Sequence, residues 1–249
     1  MYLLSLPVLL LAFSVHETAH GYAAYKLGDP TARSLGRLTL NPIKHIDPIG
    51  FICMMIFHVG WAKPVPINTR YFKNPKKDMA ITGAAGPLSN LALAIVNLII
   101  LAVAMIFVAP SFEGEAVKVF LSWNAETGYK ASIGFVAVSI VVYLLYISIL
   151  YNVSLAIFNL IPIPPFDGSR IFYAFLPSKL YFAVMKYEHI IMIVMLLLFA
   201  FGFLSTPLSW LLETIVSGLL YVTGLNGTTN GGIMSIMIGY IQDLLTINI

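Results

Sequence analysis

The chain has 249 residues, of which 59% are hydrophobic and 10% are charged. Ordinary soluble domains carry roughly a quarter charged residues, so this composition excludes a soluble globular protein. The formal net charge is +3, and no dense basic patch with interleaved aromatic residues occurs, which argues against nucleic acid as a partner. Cys53 is the single cysteine, so an internal disulfide framework is excluded.

The apolar residues form blocks that are long enough to cross a membrane. About 20 apolar residues in a helix span a hydrocarbon core roughly 30 Å thick. Four blocks reach this length, namely 2–25, 79–109, 133–161 and 189–222. The last block is predicted to form two short spans that break near Pro207, and a weaker stretch at 233–245 is either a further membrane element or an interfacial one. The predicted fold class is an all-α polytopic membrane protein, with one domain over 1–249.

The basic residues indicate which loops face the cytoplasm. The loop 26–78 carries nine of the 14 Lys and Arg residues, and the loop 162–188 carries three more. The loop 110–132 holds the remaining two beside three Glu. The positive-inside rule therefore places the loops 26–78 and 162–188 inside and the N-terminus outside. The predicted location is the cell membrane.

Two segments of the first loop depart from a plain connection. Residues 34–40 alternate polar and apolar side chains, which predicts a short β-like element. Residues 51–59 are apolar but too short to span as a helix, which favours a re-entrant or interfacial piece.

The first apolar block ends in the pattern H-E-x-x-H at residues 16–20. On a helix, His16 and His20 stack on one face and can share a metal ion, while Glu17 lies beside it in the position of a general base. A chance match is the alternative. Charged groups inside a membrane span are costly and usually functional, so we interpret the cluster as a catalytic metal site.

A catalytic zinc site needs a third protein ligand. Ala23 and Lys26 stand where the extended H-E-x-x-H-x-x-G-x-x-H pattern requires Gly and His, and no Glu occurs between residues 17 and 113. The best candidate is Asp167, which follows three prolines that end the third span on the side predicted to be cytoplasmic. The alternative role for Asp167 is to cap a helix over 169–176.

Three further polar residues are candidates for the same site. Asn159 precedes the proline-rich segment by about one helical turn and could bind the substrate backbone or a developing oxyanion. Its alternative role is a hydrogen bond to a neighbouring carbonyl. His45 and Asp47 are rival metal ligands, although the adjacent turn signals favour a loop role for both.

The motifs H-E-x-x-H at 16–20 and N-x-x-P-x-P-x-x-D-G at 159–168 together resemble those of the site-2 protease family of intramembrane zinc metalloproteases. The resemblance covers about residues 10–175 and is closest to the compact branch without a PDZ domain. Further matching segments lie at 28–29, 36–42, 45–50, 60–66 and 85–90. One departure is Phe166, where the family commonly has Leu.

The resemblance implies a three-helix catalytic core over about 1–175, followed by membrane helices over about 189–247. It implies one Zn²⁺ per chain held by His16, His20 and Asp167, with Glu17 as general base. The implied activity is regulated intramembrane proteolysis, the hydrolysis of peptide bonds in or near membrane segments of substrate proteins within the lipid bilayer. The alternatives are a divalent-metal transporter and a catalytically silent membrane scaffold. The sequence leaves the oligomeric state open.

Overall fold

The computed structural model describes residues 2–57, 62–124, 131–177, 180, 184, 186–225 and 230–246. These ranges are mostly helical. The α-helices, in chain order, are α1 (Tyr2–Lys26), α2 (Thr31–Ser34), α3 (Pro48–Phe57), α4 (Pro75–Asn124), α5 (Ile133–Asn159), α6 (Asp167–Phe175), α7 (Glu188–Ala200), α8 (Ser205–Val222) and α9 (Asn230–Thr246). Short 3₁₀ turns lie at Pro42–Lys44 and Thr69–Tyr71.

Two of the described helices are long and apolar enough to cross a membrane. They cover Pro75–Ala116 and Ile133–Asn159, and only 22% of the most apolar window of the first is buried within the protein. Large apolar side chains on that helix, such as Ile106 and Phe107, are exposed. Lipid tails solvate such side chains as well as a protein core does. The predicted apolar helices at 79–109 and 133–161 are thus confirmed as helices.

The prediction of a loop at 110–132 is wrong for its first part, because α4 continues to Asn124. Pro110 lies inside this helix. An interior proline lacks the N–H that would donate to the preceding turn and usually kinks a helix, but here the helix resumes beyond it. Residues 125–130, in the remainder of the predicted loop, lie outside the described ranges.

The β-like element predicted at 34–40 is also wrong. The N–H groups of Leu35, Gly36 and Arg37 donate to carbonyls of α2, at Thr31, Arg33 and Ala32 respectively. Gly36 adopts a φ of +64°, as a residue that ends a helix often does. These N–H groups are therefore unavailable to a neighbouring strand. In the described part of the chain, β pairing is limited to an isolated antiparallel bridge between Ile46 and Ala62.

The apolar segment predicted as a re-entrant or interfacial piece forms helix α3, which ends at Phe57. Asp47 caps the N-terminus of this helix, because its Oδ1 accepts hydrogen bonds from the N–H groups of Ile49 at 3.0 Å and Gly50 at 2.8 Å. Residues 58–61, including His58 and Trp61, lie outside the described ranges. Whether this helix enters a membrane stays a prediction.

The last apolar block breaks close to its predicted position. Helix α7 ends at Ala200 and α8 begins at Ser205. Pro207 lies in the first turn of α8, where backbone N–H groups have no helical partner and a proline is tolerated. The weaker stretch predicted at 233–245 forms α9.

Packing divides the chain into two compact units. One comprises Met1–Val8, Leu93–Tyr151 and Leu211–Ile249, and in it the fully buried ring of Phe135 contacts the edges or faces of Phe112 and Tyr240. The other comprises Leu9–Ala92 and Asn152–Trp210 and contains every candidate site residue. The single-domain organisation stays a prediction.

Candidate active site

Three side chains from two distant parts of the sequence meet in the second unit. His16 and His20 lie one turn apart on α1, and Asp167 is the first residue of α6. The Nε2 atoms of the two histidines are 3.0 Å apart, and each lies 3.0 Å from Oδ2 of Asp167. Among the described residues, these three form the one group of His, Cys, Asp or Glu donors close enough to hold a metal ion.

The protonation of the two imidazoles decides what can occupy this triangle. Nδ1 of His20 lies 2.7 Å from the carbonyl oxygen of Thr82, which can only accept, so Nδ1 carries a proton. Nδ1 of His16 lies 2.6 Å from Oδ1 of Asn90 and is likewise the donor. In the neutral rings, both Nε2 atoms therefore present lone pairs towards the carboxylate.

Three lone-pair donors that face one another repel unless a cation lies among them. Ligands at about 2.0–2.2 Å from one zinc ion, at tetrahedral angles, lie about 3.3 Å from one another, close to the separation of 3.0 Å seen here. Two imidazoles and one carboxylate are also a ligand set that catalytic zinc sites use, with the fourth position open. The donor set and its spacing fit Zn²⁺.

Asn90, on α4, fixes the orientation of His16. Its Nδ2 donates to the carbonyl of Ala12 at 3.2 Å and to Oδ1 of Asn152 at 2.8 Å. Because the Ala12 carbonyl only accepts, Nδ2 must be the atom that faces it, which leaves Oδ1 for Nδ1 of His16. Asn90 and Asn152 are fully buried. This amide pair holds the ring as outer partners of metal-binding histidines commonly do.

Asp167 reaches the histidines because the chain packs closely just beyond it. A Cβ on Gly168 would lie 2.3 Å from the carbonyl oxygen of Leu160, so only glycine permits α6 to start so close to the end of α5. Asp167 does not cap α6, since the N-cap is Phe166.

Gly86, on α4, lets the two imidazoles pack directly against a helix backbone. A Cβ at this position would lie 2.4 Å from Nε2 of His20 and 2.7 Å from Cε1 of His16. No side chain fits there without moving the ligand atoms themselves. Gly86 thus leaves the space that both imidazoles occupy.

Glu17 is adjacent to the metal ligands and is held by a backbone group. Its Oε2 accepts a hydrogen bond of 2.8 Å from the N–H of Val65. Among the described residues, no hydrogen bond to its second oxygen, Oε1, is seen. One carboxylate oxygen is therefore oriented and the other is available to a water molecule or a substrate.

The other sequence candidates take different positions. Nδ2 of Asn159 donates to the carbonyl of Leu155 at 2.9 Å, which is the alternative role considered for it, and its role towards substrate stays a prediction. His45 places Nε2 2.7 Å from the carbonyl of Thr39, and Asp47 caps α3. Neither joins the metal-ligand group.

Asn90 and Asn152 are not among the site residues that the sequence predicts, although they support His16. The signal was present, because Asn90 follows Gly86 by one helical turn, and a glycine and an amide at this spacing lie on one helix face. The sequence does not indicate that Asn90 contacts His16, because 74 residues separate the two.

Replacement of Asn90 by Leu is expected to weaken zinc binding by about 10- to 100-fold, the usual cost of losing an outer partner of a metal-binding histidine. The measurement is competition for zinc with a chelator of known affinity. Asn97→Leu is the matched control, because Asn97 lies on the same helix and donates to Ser148 instead. Equal zinc affinities in the two variants would contradict the role assigned to Asn90.

Comparison with known proteins places the chain in a family. The model of peptidase family M50 matches residues 4–202. The chain belongs to peptidase family M50. It is 38% identical over 191 residues to "Putative zinc metalloprotease YwhC" of Bacillus subtilis (strain 168), with 77% of each chain covered. It is 28% identical over 165 residues to "Putative zinc metalloprotease Rip2" of Mycolicibacterium smegmatis (strain ATCC 700084 / mc(2)155), which covers 64% of this chain and 52% of the relative. No solved structure matches.

Family membership and the grouped donors agree on the enzyme class. The resemblance to the site-2 proteases is confirmed, and the chain is a zinc metalloprotease whose metal is Zn²⁺. The two apolar helices fit a membrane protease.

Proposed function

We propose that this M50 peptidase is an intramembrane protease that hydrolyses peptide bonds in or near membrane-spanning segments of substrate proteins. The observation that carries the proposal is the group of His16, His20 and Asp167. His16 and His20 lie on α1, and Asp167 lies just beyond the end of the apolar helix α5. With α5 in the bilayer, the peptide bonds that reach this group belong to segments within the bilayer or at its edge.

Each of the four site residues has a role in this reaction. His16, His20 and Asp167 would hold Zn²⁺, which supplies Lewis acidity to polarise a carbonyl and to make a water more acidic. Glu17 takes the proton of the attacking water and delivers it to the leaving amine. Asn90 and the Thr82 carbonyl keep the imidazoles in the tautomer that the site needs.

We further propose that the protein crosses the membrane several times, with α1, α4 and α5 as the catalytic core and α7 to α9 as additional membrane helices. The basic residues of the loop 26–78 support a cytoplasmic position for that loop. The active site then lies towards the cytoplasmic face, since α1 enters this loop six residues after His20. Water reaches the site from that side.

The test begins with zinc content. Detergent-purified full-length protein is expected to hold about one zinc per chain, and the Asp167→Ala and His16→Ala/His20→Ala variants are expected to hold almost none. Elemental analysis of the three samples measures this. Zinc retained at the wild-type level without Asp167 would overturn the ligand set.

The second part of the test is proteolysis in liposomes. The probe is a synthetic peptide with one Leu/Ala membrane segment flanked by lysines, and mass spectrometry locates the cut. Cleavage within or next to the apolar segment, lost in Asp167→Ala, supports the proposal. Zinc uptake into the liposomes without cleavage would favour a transporter, although α4 and α5 carry no His. Bound zinc with neither activity would favour a silent scaffold.

A further inference from the structure

A short segment that contains two prolines lies beside Glu17, and one of its backbone N–H groups donates to Glu17. The segment Lys63–Asn68 reads K-P-V-P-I-N. Pro64 and Pro66 have no N–H group and have restricted φ, so the N–H of Val65 is the one backbone donor between Lys63 and Ile67. Val65 is buried, and this N–H is the group that donates to Oε2 of Glu17 at 2.8 Å.

The first end of the segment is held at Lys63 by two hydrogen bonds. The N–H of Lys63 donates to the carbonyl of His45 at 2.8 Å. The carbonyl of Lys63 accepts from Nη2 of Arg37 at 2.7 Å. Arg37 is only 8% exposed, so a guanidinium group is buried in order to make this contact. Hydrogen bonds from charged groups are stronger than those between neutral groups.

The other end is held at Asn68 by a buried carboxylate. Oδ2 of Asp29 accepts the N–H of Asn68 at 2.7 Å. Its Oδ1 accepts the N–H of Thr31 at 3.0 Å and the hydroxyl of the same residue. Asp29 is 0% exposed, and it follows α1, the helix that carries Glu17. After Val65, the segment is thus held by Asp29, just beyond the C-terminal end of α1. Before Val65, it is held by Arg37 and His45.

We propose that Lys63–Asn68 is a positioning element for Glu17, with Arg37 and Asp29 as positioning residues that act through it. Both ends are fixed, the prolines stiffen the middle, and the one remaining N–H holds Oε2 so that Oε1 faces the proton to be transferred. A carboxylate that must accept and return a proton works best in a single orientation. The inference rests on the proposed function in so far as Glu17 is the general base.

The hydrogen bond itself can be observed by selective isotope labelling. With [¹³C′]proline and [¹⁵N]valine, signals arise only from Pro–Val peptide bonds, and the chain has two, Pro7–Val8 and Pro64–Val65. Val8 lies within α1 and serves as an internal reference. Substitution of Val8 by Ile removes one signal and assigns the other. The measurement is the hydrogen exchange rate of both amides in the zinc-loaded full-length protein.

Glu17→Ala and the double variant Arg37→Met/Asp29→Asn are expected to speed exchange of the Val65 amide by at least about tenfold, with Val8 unchanged. Arg33→Met and Asp47→Asn are the matched controls. Arg33 contacts Tyr25 and Asp47 caps α3, so neither touches the segment. Unchanged Val65 exchange in the double variant would overturn the proposal. If the double variant does not fold, the single variant Arg37→Met provides the same comparison.

Kinetics on the Leu/Ala probe peptide separate positioning from general damage. The double variant is expected to keep about one zinc per chain and to lose at least about tenfold in kcat with KM within about twofold. A loss of activity in proportion to a loss of zinc would overturn the proposal. If the wild type cleaves nothing, the proposed function fails, while the exchange measurement still decides whether the segment holds Glu17.

Discussion

Glu17→Gln is expected to lower the rate of peptide hydrolysis by about 10²- to 10⁴-fold, the usual contribution of a general acid or base. The substitution keeps the shape of the side chain, and its amide oxygen can still accept the N–H of Val65. It removes the capacity to take a proton. Because Glu17 is outside the group of metal ligands, we expect zinc to stay at about one per chain.

The measurement pairs elemental analysis with cleavage kinetics on the membrane-segment peptide. Glu213→Gln is the control, since Glu213 lies on α8 with an exposed side chain and is absent from the described metal-ligand group. It is expected to cleave at the wild-type rate. Hydrolysis by Glu17→Gln at the wild-type rate would remove the assignment of Glu17 as base. A simultaneous loss of zinc would instead point to a structural role.

Local patterns carried most of what could be predicted of the fold. The length of an apolar run is set by the thickness of a bilayer, so the helices at 79–109 and 133–161 follow from composition alone. The pairing of His16 with His20 also follows from the chain, because a helix places residues four apart on one face. Asp167 could be nominated because catalytic zinc needs a third ligand and the chain offered few candidates.

The failed predictions concern features that a local sequence pattern does not contain. The alternation at 34–40 suits a strand, but the carbonyls of α2 capture the N–H groups of residues 35–37 first. Prolines often end helices, yet α4 continues through Pro110. Such outcomes depend on which partner is available.

The residues that orient the site side chains could not be predicted from the sequence, for a different reason. Asn90 and Val65 are ordinary residues in the sequence, and each gains its role from a partner 74 or 48 residues away. The contact of Val65 is moreover made by its backbone, so its side chain gives no hint of it. Residues that bind the metal can be recognised by type, whereas residues that hold those ligands are recognised only by contact.

Gly86→Ala is expected to weaken zinc binding by about 5- to 150-fold, although it adds a single methyl group. The new Cβ would lie 2.4 Å from Nε2 of His20, the atom that faces the metal. The ring cannot retreat freely, because its Nδ1 is bonded to the carbonyl of Thr82, and His16 is tied to Asn90 in the same way. Overpacking of this kind costs about 1–3 kcal/mol, or about 5- to 150-fold in an equilibrium constant.

The control is Gly114→Ala on the same helix, where a Cβ meets no atom within 4 Å. Alanine is the better helix former by about 1 kcal/mol, so this variant is expected to keep its zinc and to unfold at the same or a higher temperature. Chelator competition gives the zinc Kd of each variant, and circular dichroism verifies that both are folded. If Gly86→Ala binds zinc as tightly as Gly114→Ala, the imidazoles do not need the glycine surface, and the close approach seen here is not what sets the metal site.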